Sequence, residues 1–264
     1  MDKTIYLIDM NHEEVKEYLK RRDIAIIPVG SVEVHGPHLP LGTDSYIAEA
    51  FAKILAEEVD GIVFPTIYCT FTDTLKHMAG SIHVPQRIVA DYLKQICIHA
   101  AGQGFKRIIL LNGHGGNAQM LQSLILEIFD ETGLPIIYLS PSIYAQRHGI
   151  TKEVFGEKAS DGAYVEGSAV LGAMEIIKKK CRVKVEDLKD VTEFENPYSA
   201  ETSSGRVMRW TPGRIGFRRT DPCGHQPPRA DLSAELGKDY IIRVAKALAP
   251  VVDDLADYIK NLGF

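Results

Sequence analysis

Short, continuous apolar segments alternate with longer amphipathic segments along this chain. An unbroken apolar run is typical of a strand that is covered on both faces, as strands in parallel sheets are. Apolar residues three and four positions apart, such as Leu121, Leu124 and Ile125, predict helices with one buried face. The pattern predicts strands at 24–30, 62–69, 107–113 and 135–140, and helices at 45–59, 86–102, 117–132, 165–180 and 232–261.

This order of elements predicts an α/β fold with a mainly parallel central sheet and right-handed crossovers. Two segments depart from the regular alternation. Pro250 lies inside the last predicted helix, where its ring can break the helix. Residues 181–230 are rich in Gly, Pro, Ser and Thr, show little periodicity and are long for a loop. We expect them to form an irregular excursion that serves as a lid or as an oligomer contact.

The composition limits the classes of partner. Of the 264 residues, 45% are hydrophobic and 25% charged, as in ordinary globular proteins. The formal net charge of −5 argues against binding to nucleic acid or to an anionic membrane. The chain has no apolar run long enough to span a membrane and no CxxC pair among its four cysteines. Its first residues hold acids and no long apolar stretch, so we expect no signal peptide. We therefore expect a soluble, cytoplasmic enzyme.

The segment after the first predicted strand concentrates side chains that bind metals. Glu33, His35, His38 and Asp44 lie within twelve positions. Ligand sites of open α/β sheets lie beyond the carboxyl ends of the strands, which is where this segment falls. Carboxylates combined with imidazoles suit a divalent ion such as Zn²⁺, Mn²⁺ or Fe²⁺. The alternative is a helix capped by Asp44 beside histidines that lie on the surface.

A second segment, N-G-H-G-G-N at 112–117, follows the third predicted strand and places His114 between glycines. Histidines and carboxylates at one edge of a sheet favour a metal or catalytic site. Gly113, Gly115 and Ala118 also match the loose dinucleotide fingerprint G-x-G-x-x-A. That fingerprint requires an acid at the end of the next strand, and none is present in the sequence Y-L-S-P at 138–141. The metal or catalytic interpretation is therefore favoured over nucleotide binding.

Together the two motifs, G-S-V-E-V-H-G-P-H-L-P-L-G-T-D at 30–44 and N-G-H-G-G-N at 112–117, resemble the creatininase (creatinine amidohydrolase) family. The resemblance extends from about Ile24 to Ser168, with a weaker echo at 233–237. It implies a single three-layer α/β/α domain over residues 1–264. It also implies two divalent metal ions (zinc, manganese or iron) at the carboxyl edge of the sheet, and a homo-oligomer, which in this family is a hexamer.

The resemblance further implies which side chains hold the ions. Glu33 and His114 would bind one ion, His35 would bind the other, and Asp44 would bridge the two. Creatininase itself takes another ligand from a glutamate two residues after the histidine of the second motif. Gly116 occupies that position here, so the second ion needs a ligand from elsewhere.

A later segment, D-G-A-Y-V-E-G-S at 161–168, resembles the H-A-G-E-x-E-T-S segment of the family. It aligns Glu166 with the second glutamate and makes it the candidate for the missing ligand. The alternative for Glu166 is an acid in a first helical turn, favoured by the helix dipole. Asp161 replaces a histidine that lies near the substrate carbonyl, and it is a candidate proton donor or else a helix cap. His77 falls in the substrate-pocket loop of the family and is the second candidate catalytic residue.

The predicted function follows from this site. Two divalent ions about 3.5–4 Å apart can share a water, lower its pKa and polarise a carbonyl. We expect a dinuclear hydrolase in which a metal-bridged hydroxide attacks the carbonyl of a small cyclic amide. Creatinine itself is disfavoured, because creatininase encloses it with tryptophans and the only tryptophan here is Trp210. The alternatives are a keto-inositol ring-opening hydrolase (3-dehydro-scyllo-inosose hydrolase-like), which an Arg-rich stretch at 206–219 would suit, and a nucleotide-binding module.

Overall fold

The computed structural model describes residues 4–36, 38–72, 75–76, 78–180, 182, 199–201, 207–211, 214–217 and 230–263, the segments between 199 and 217 by their backbone alone. The strands are β1 Ile24–Val29, β2 Ile62–Val63, β3 Arg107–Asn112, β4 Ile136–Leu139, β5 Ser199–Glu201, β6 Val207–Thr211 and β7 Arg214–Phe217. The helices are α1 His12–Leu19, α2 Thr43–Val59, α3 Gln86–Gln103, α4 Ala118–Thr132, α5 Pro141–Arg147, α6 Ile150–Phe155, α7 Gly162–Ile176 and α8 Ala234–Asn261.

The main sheet has four parallel strands in the order β2-β1-β3-β4. Successive residues of its strands bury opposite faces. In β1, Ile24 and Ile26 pack into a core shared with α2, α7 and α8, whereas Ala25 and Ile27 pack into a second core shared with α3 and α4. Burial on both faces explains why the strand sequences are apolar throughout. The predicted three-layer α/β/α fold with a parallel sheet is confirmed.

The order of the strands creates a crevice between β1 and β3. The chain leaves β1 into α2 on one face of the sheet, and it leaves the adjacent β3 into α4 on the other face. The two connections diverge at the carboxyl edge, which is the usual position of a ligand site in an open α/β sheet. Both sequence motifs lie in these two connections.

Several boundaries differ from the sequence-based expectation. The helix α8 continues through Pro250, because its buried residues Val244, Leu248 and Val252 pack on both sides of the proline and offset the lost backbone hydrogen bond. Strand β2 has only two residues, and pairing further along is limited to an isolated bridge between Val29 and Ile67. The helices α1, α5 and α6 were not predicted; they have 8, 7 and 6 residues, too short for a clear helical period.

The segment 181–230 is not irregular throughout. Within it, β5, β6 and β7 form an antiparallel sheet, with Trp210 opposite Ile215 in the β6–β7 pair. The organisation of the whole chain as one domain stays a prediction. Among the described residues, every helix is too short or too polar to cross a lipid bilayer.

Candidate metal centre

The connection from β1 to α2 and the first turn of α2 bury three of the predicted ligands. Glu33, His35 and Asp44 are at most 2% exposed. The connection is pressed against the start of α2, since a Cβ atom on Gly30 would lie 2.4 Å from the Cα of Ser45. This close approach requires glycine at position 30 and directs the following side chains into the crevice.

The connection from β3 to α4 brings His114 to the same place. A Cβ atom on Gly113 would lie 2.5 Å from the carbonyl oxygen of Asp44, so only glycine allows the two connections to touch. His114 is 9% exposed and directly adjoins Asp44.

Glu166 reaches the site from α7. This helix packs closely against α8, which fixes its position. A Cβ atom on Gly172 would lie 2.2 Å from the backbone nitrogen of Lys238, so the two helices approach backbone to backbone. Since α7 begins at Gly162, Glu166 lies beyond its first turn. The helix dipole acts mainly on the first turn, so it does not account for an acid at this position.

The carboxylate of Asp44 lies between the two imidazoles. Its Oδ2 is 2.7 Å from Nδ1 of His114, and its Oδ1 is 3.3 Å from Nε2 of His35. Glu33 Oε2 lies 3.6 Å from Nε2 of His114, and Glu166 Oε1 lies 3.7 Å from Nε2 of His35. Two groups result, Glu33–Asp44–His114 and His35–Asp44–Glu166, and in each the possible ligand atoms are within 4.8 Å of one another.

Backbone carbonyls orient both imidazoles. Nδ1 of His35 lies 3.0 Å from the carbonyl oxygen of Glu33, and Nε2 of His114 lies 3.0 Å from that of Phe71. A carbonyl only accepts, so each of these nitrogens donates its hydrogen, and the other nitrogen of each ring faces Asp44. Ser31 adds a hydrogen bond from its hydroxyl to Oδ2 of Asp44, at 2.7 Å. Buried histidine ligands of metals typically have a carbonyl partner of this kind.

The charges of these groups depend strongly on one another. Burial raises the pKa of Asp44, but His35 and His114 outweigh burial and hold that pKa well below its usual range. Burial lowers the pKa of His114, but Asp44 and Glu33 outweigh it and raise that pKa to about 9. Burial, reinforced by Asp44 and opposed by His114, raises the pKa of Glu33 to about 7. The charge of each of these groups is thus set largely by the others.

This donor set fits divalent metal ions. Three carboxylates and two imidazoles converge, and such mixed oxygen and nitrogen ligands suit zinc, manganese or iron. Buried charges require opposite charges, and divalent cations would supply them. Glu166, whose side chain is 27% exposed, is the most accessible member and marks the side of the site that faces solvent.

The other predicted residues have different surroundings. Asp161 caps α7, because its Oδ1 accepts a hydrogen bond from the backbone nitrogen of Tyr164 at 3.2 Å. His77 lies outside the described residues. His38 is half-buried, and its Nδ1 has no hydrogen-bond partner among the described residues.

Sequence reasoning missed two supporting groups. Ser31 lies inside the first motif, where a hydroxyl two residues before Glu33 could have been recognised as a partner for a carboxylate. Phe71 contributes only its backbone carbonyl, so its side chain carries no signal of that role.

The fold and the buried carboxylates and imidazoles define an α/β protein with a candidate divalent-metal centre. The family model for creatininase, described as creatinine amidohydrolase, matches residues 8–252. The chain therefore belongs to the creatininase family.

Individual relatives match more locally. The chain is 34% identical over 113 residues to 3-dehydro-scyllo-inosose hydrolase from Thermotoga maritima. This alignment covers 42% of this chain and 36% of the relative. It is 32% identical over 108 residues to mycofactocin precursor peptide peptidase from Mycolicibacterium smegmatis, which covers 39% and 43%. The matches thus span less than half of these curated relatives. A solved structure of a mutant creatininase, Zn-Zn type, has a TM-score of 0.71, with 19% identity and 98% of each chain covered, and shows the same fold.

Proposed function

We propose that this protein is a hydrolase that uses two divalent metal ions to open a small cyclic amide. The observation that carries the proposal is the pair of ligand groups that share Asp44. Membership of a family described as creatinine amidohydrolase supports the hydrolytic reaction and its amide substrate. The similarity to a creatininase of Zn-Zn type supports zinc as one of the metals.

Five side chains would hold the ions. Glu33 and His114 would bind one ion and His35 and Glu166 the other, with Asp44 bridging them. When bound, the two ions would lower the pKa of a shared water and polarise the substrate carbonyl.

The chain itself orients the ligands and admits the substrate. The carbonyls of Glu33 and Phe71 fix the imidazole rings, and Ser31 fixes the bridging carboxylate. Fixed ligands do not have to reorganise during the reaction, which is a main source of enzymatic rate. Because Glu33 and His35 are buried and Glu166 is partly exposed, the substrate would enter beside Glu166.

Asp161 is the proposed proton donor to the leaving group, in addition to its role as the cap of α7. Asp161→Asn separates the two roles, because asparagine caps a helix as well as aspartate does but carries no acid. We expect this variant to keep its thermal stability and to lose turnover by about 10²–10⁴-fold, the usual contribution of a general acid. Unchanged turnover would leave Asp161 as a cap alone.

The decisive experiment measures metal first and activity second. Gently purified protein is analysed for metal content and then offered lactams, cyclic ureas, inososes and short peptides. We expect two divalent ions per chain, and hydrolysis of a cyclic amide that a chelator abolishes and added metal restores. Protein without bound metal, or turnover that the chelator leaves unchanged, would contradict the proposal.

A second candidate function is hydrolytic opening of a keto-inositol ring. The 34% identity to the inosose hydrolase favours it. In this reaction water cleaves a carbon–carbon bond, so the product is an open-chain carboxylate without the new amino group that hydrolysis of a cyclic amide forms. Identification of the product distinguishes it from amide hydrolysis. Nucleotide binding is the weakest candidate, and NAD binding by metal-free protein would be required to support it.

Assembly as a homo-oligomer, in particular a hexamer, is also proposed from the family resemblance. Sedimentation at micromolar concentration tests it, and a stable monomer of 29.3 kDa would contradict it. A cytoplasmic location stays a prediction.

A further inference from the structure

The imidazole of His114 lies directly over Gly116. A Cβ atom on Gly116 would lie 2.3 Å from Nε2 of His114 and 3.1 Å from its Cδ2 and Cε1. The adjacent Gly115 is different, because a Cβ atom there would meet nothing within 4 Å. Neither glycine has a positive φ angle, so the backbone itself does not require glycine at either position. The steric demand at position 116 comes from the histidine ring.

In this position the ring makes two contacts at once. Its Nε2 lies 3.0 Å from the carbonyl oxygen of Phe71, and its Nδ1 lies 2.7 Å from Oδ2 of Asp44. A side chain at position 116 would displace the imidazole of His114, because this ring is at the end of a side chain that can rotate. The backbone at 116 cannot yield as easily, since the hydrogen bond from Asn117 N to His114 O closes the turn around it.

We propose that Gly116 is a positioning residue that selects Nδ1 of His114 as the metal-binding nitrogen. The missing side chain lets the imidazole reach the Phe71 carbonyl with Nε2, which leaves Nδ1 facing Asp44. This inference rests on the proposed metal function. The same packing leaves no room for a carboxylate ligand at position 116. This agrees with the second ligand group, in which the remaining carboxylate comes from Glu166 on α7.

Gly116→Ala tests the inference, and Gly115→Ala is the matched control one residue away. In a crystal structure of metal-free Gly116→Ala, we expect Nε2 of His114 to lie beyond hydrogen-bond distance, about 3.5 Å, from the Phe71 carbonyl. In zinc titrations against a chelator, we expect this variant to bind one of two equivalents about 10–100-fold more weakly. Gly115→Ala should match the unmodified protein in both measurements.

A stability comparison covers the case in which Gly116→Ala folds poorly. If the ring is the obstacle, alanine at 116 should lower the melting temperature in the unmodified chain and leave it unchanged in a His114→Ala background. An equal effect in both backgrounds, an unmoved ring or full zinc affinity would each overturn the inference. If the unmodified protein binds no zinc, the proposed metal function fails, while the ring position and the melting temperatures still decide whether Gly116 positions His114.

Discussion

The two edges of the parallel sheet both gather charged side chains, but they place them in opposite environments. At the carboxyl edge, Glu33, Asp44 and His114 are at least nine-tenths buried. At the amino edge, the side chains of the ion pair Arg21–Asp60 are 43% and 48% exposed. Charge alone therefore does not distinguish the two edges, whereas burial does.

The amino edge pairs arginines with aspartates. Arg21 contacts Asp60, Arg22 contacts Asp253 and Arg107 contacts Asp23. Arg21 and Arg22 follow the end of α1, where cations complement the negative end of the helix dipole. An exposed pair such as Arg21–Asp60 contributes about 0–1 kcal/mol, whereas the Arg107 and Asp23 side chains are only 12% and 24% exposed.

The carboxyl edge lacks such a balance. Within the described residues, Glu33 and Asp44 form ion pairs with histidines only. Burial of charges is costly unless each is matched, and imidazoles are also the ligands that metal ions prefer. The buried carboxylates of the carboxyl edge, which have only histidines as ion-pair partners among the described residues, thus indicate that this edge is the functional one.

Loss of the bridge should have the largest effect. Asp44→Asn removes the negative charge common to both ligand groups, so we expect metal content to fall from two ions per chain to none and turnover to disappear. Elemental analysis and circular dichroism of the folded variant measure this. Asp60→Asn at the amino edge is the matched control and should keep both ions. An Asp44→Asn protein that retains two ions would refute the bridging role.

The next largest effect is expected at Glu166, which belongs to only one group. Glu166→Gln should remove one ion, spare the one held by Glu33 and His114, and abolish turnover. Glu175→Gln on the same helix is the control, because Glu175 pairs at the surface with Lys238 at 3.7 Å. Two full metal equivalents in Glu166→Gln would show that Glu166 is not a ligand.

The comparison of the two edges also shows what the sequence could predict. The strands and both motifs could be predicted from the sequence. Strands that are buried on both faces consist of apolar residues, and the metal-binding side chains are clustered within short segments. The predicted start of α7 at 165 is late, because α7 begins at Gly162, directly after its cap Asp161. The role of the Phe71 carbonyl and the fit of the His114 ring over Gly116 depend on tertiary contacts, which a single sequence does not contain.

Metal binding at the carboxyl edge should release protons. Despite burial, Asp44 and Glu33 raise the pKa of His114 to about 9, and Asp44 and Glu166 raise the pKa of His35 well above its usual range. We therefore expect both imidazoles to be positively charged at neutral pH in the metal-free protein, so that each loses one proton when a metal ion binds. We expect at least two protons per fully loaded chain, because Glu33, whose pKa is raised to about 7, is also partly protonated at neutral pH.

The direction of the pH dependence follows from this competition. Because protons leave as metal binds, apparent affinity should rise as the pH increases through the pKa of His114, about 9. Calorimetric titrations in two buffers of different ionisation enthalpy measure the release at neutral pH. Binding heats that do not depend on the buffer would contradict the protonated state of the two imidazoles.

The smallest effect is expected at the amino edge, from Asp60→Asn. Asp60 has a φ angle of 50°, a left-handed conformation that asparagine also adopts readily, so the substitution removes the charge and leaves the backbone unstrained. The loss of an exposed ion pair should lower the free energy of unfolding by about 0.2–1 kcal/mol. High salt should reduce the difference, because it screens exposed charges. Denaturant unfolding at low and high salt measures both. Two outcomes would contradict this expectation: a loss above about 2 kcal/mol, which is far beyond the range for exposed pairs, or any loss of metal. Either outcome would show that the amino edge is coupled to the metal site, so that the difference in burial does not separate the two edges.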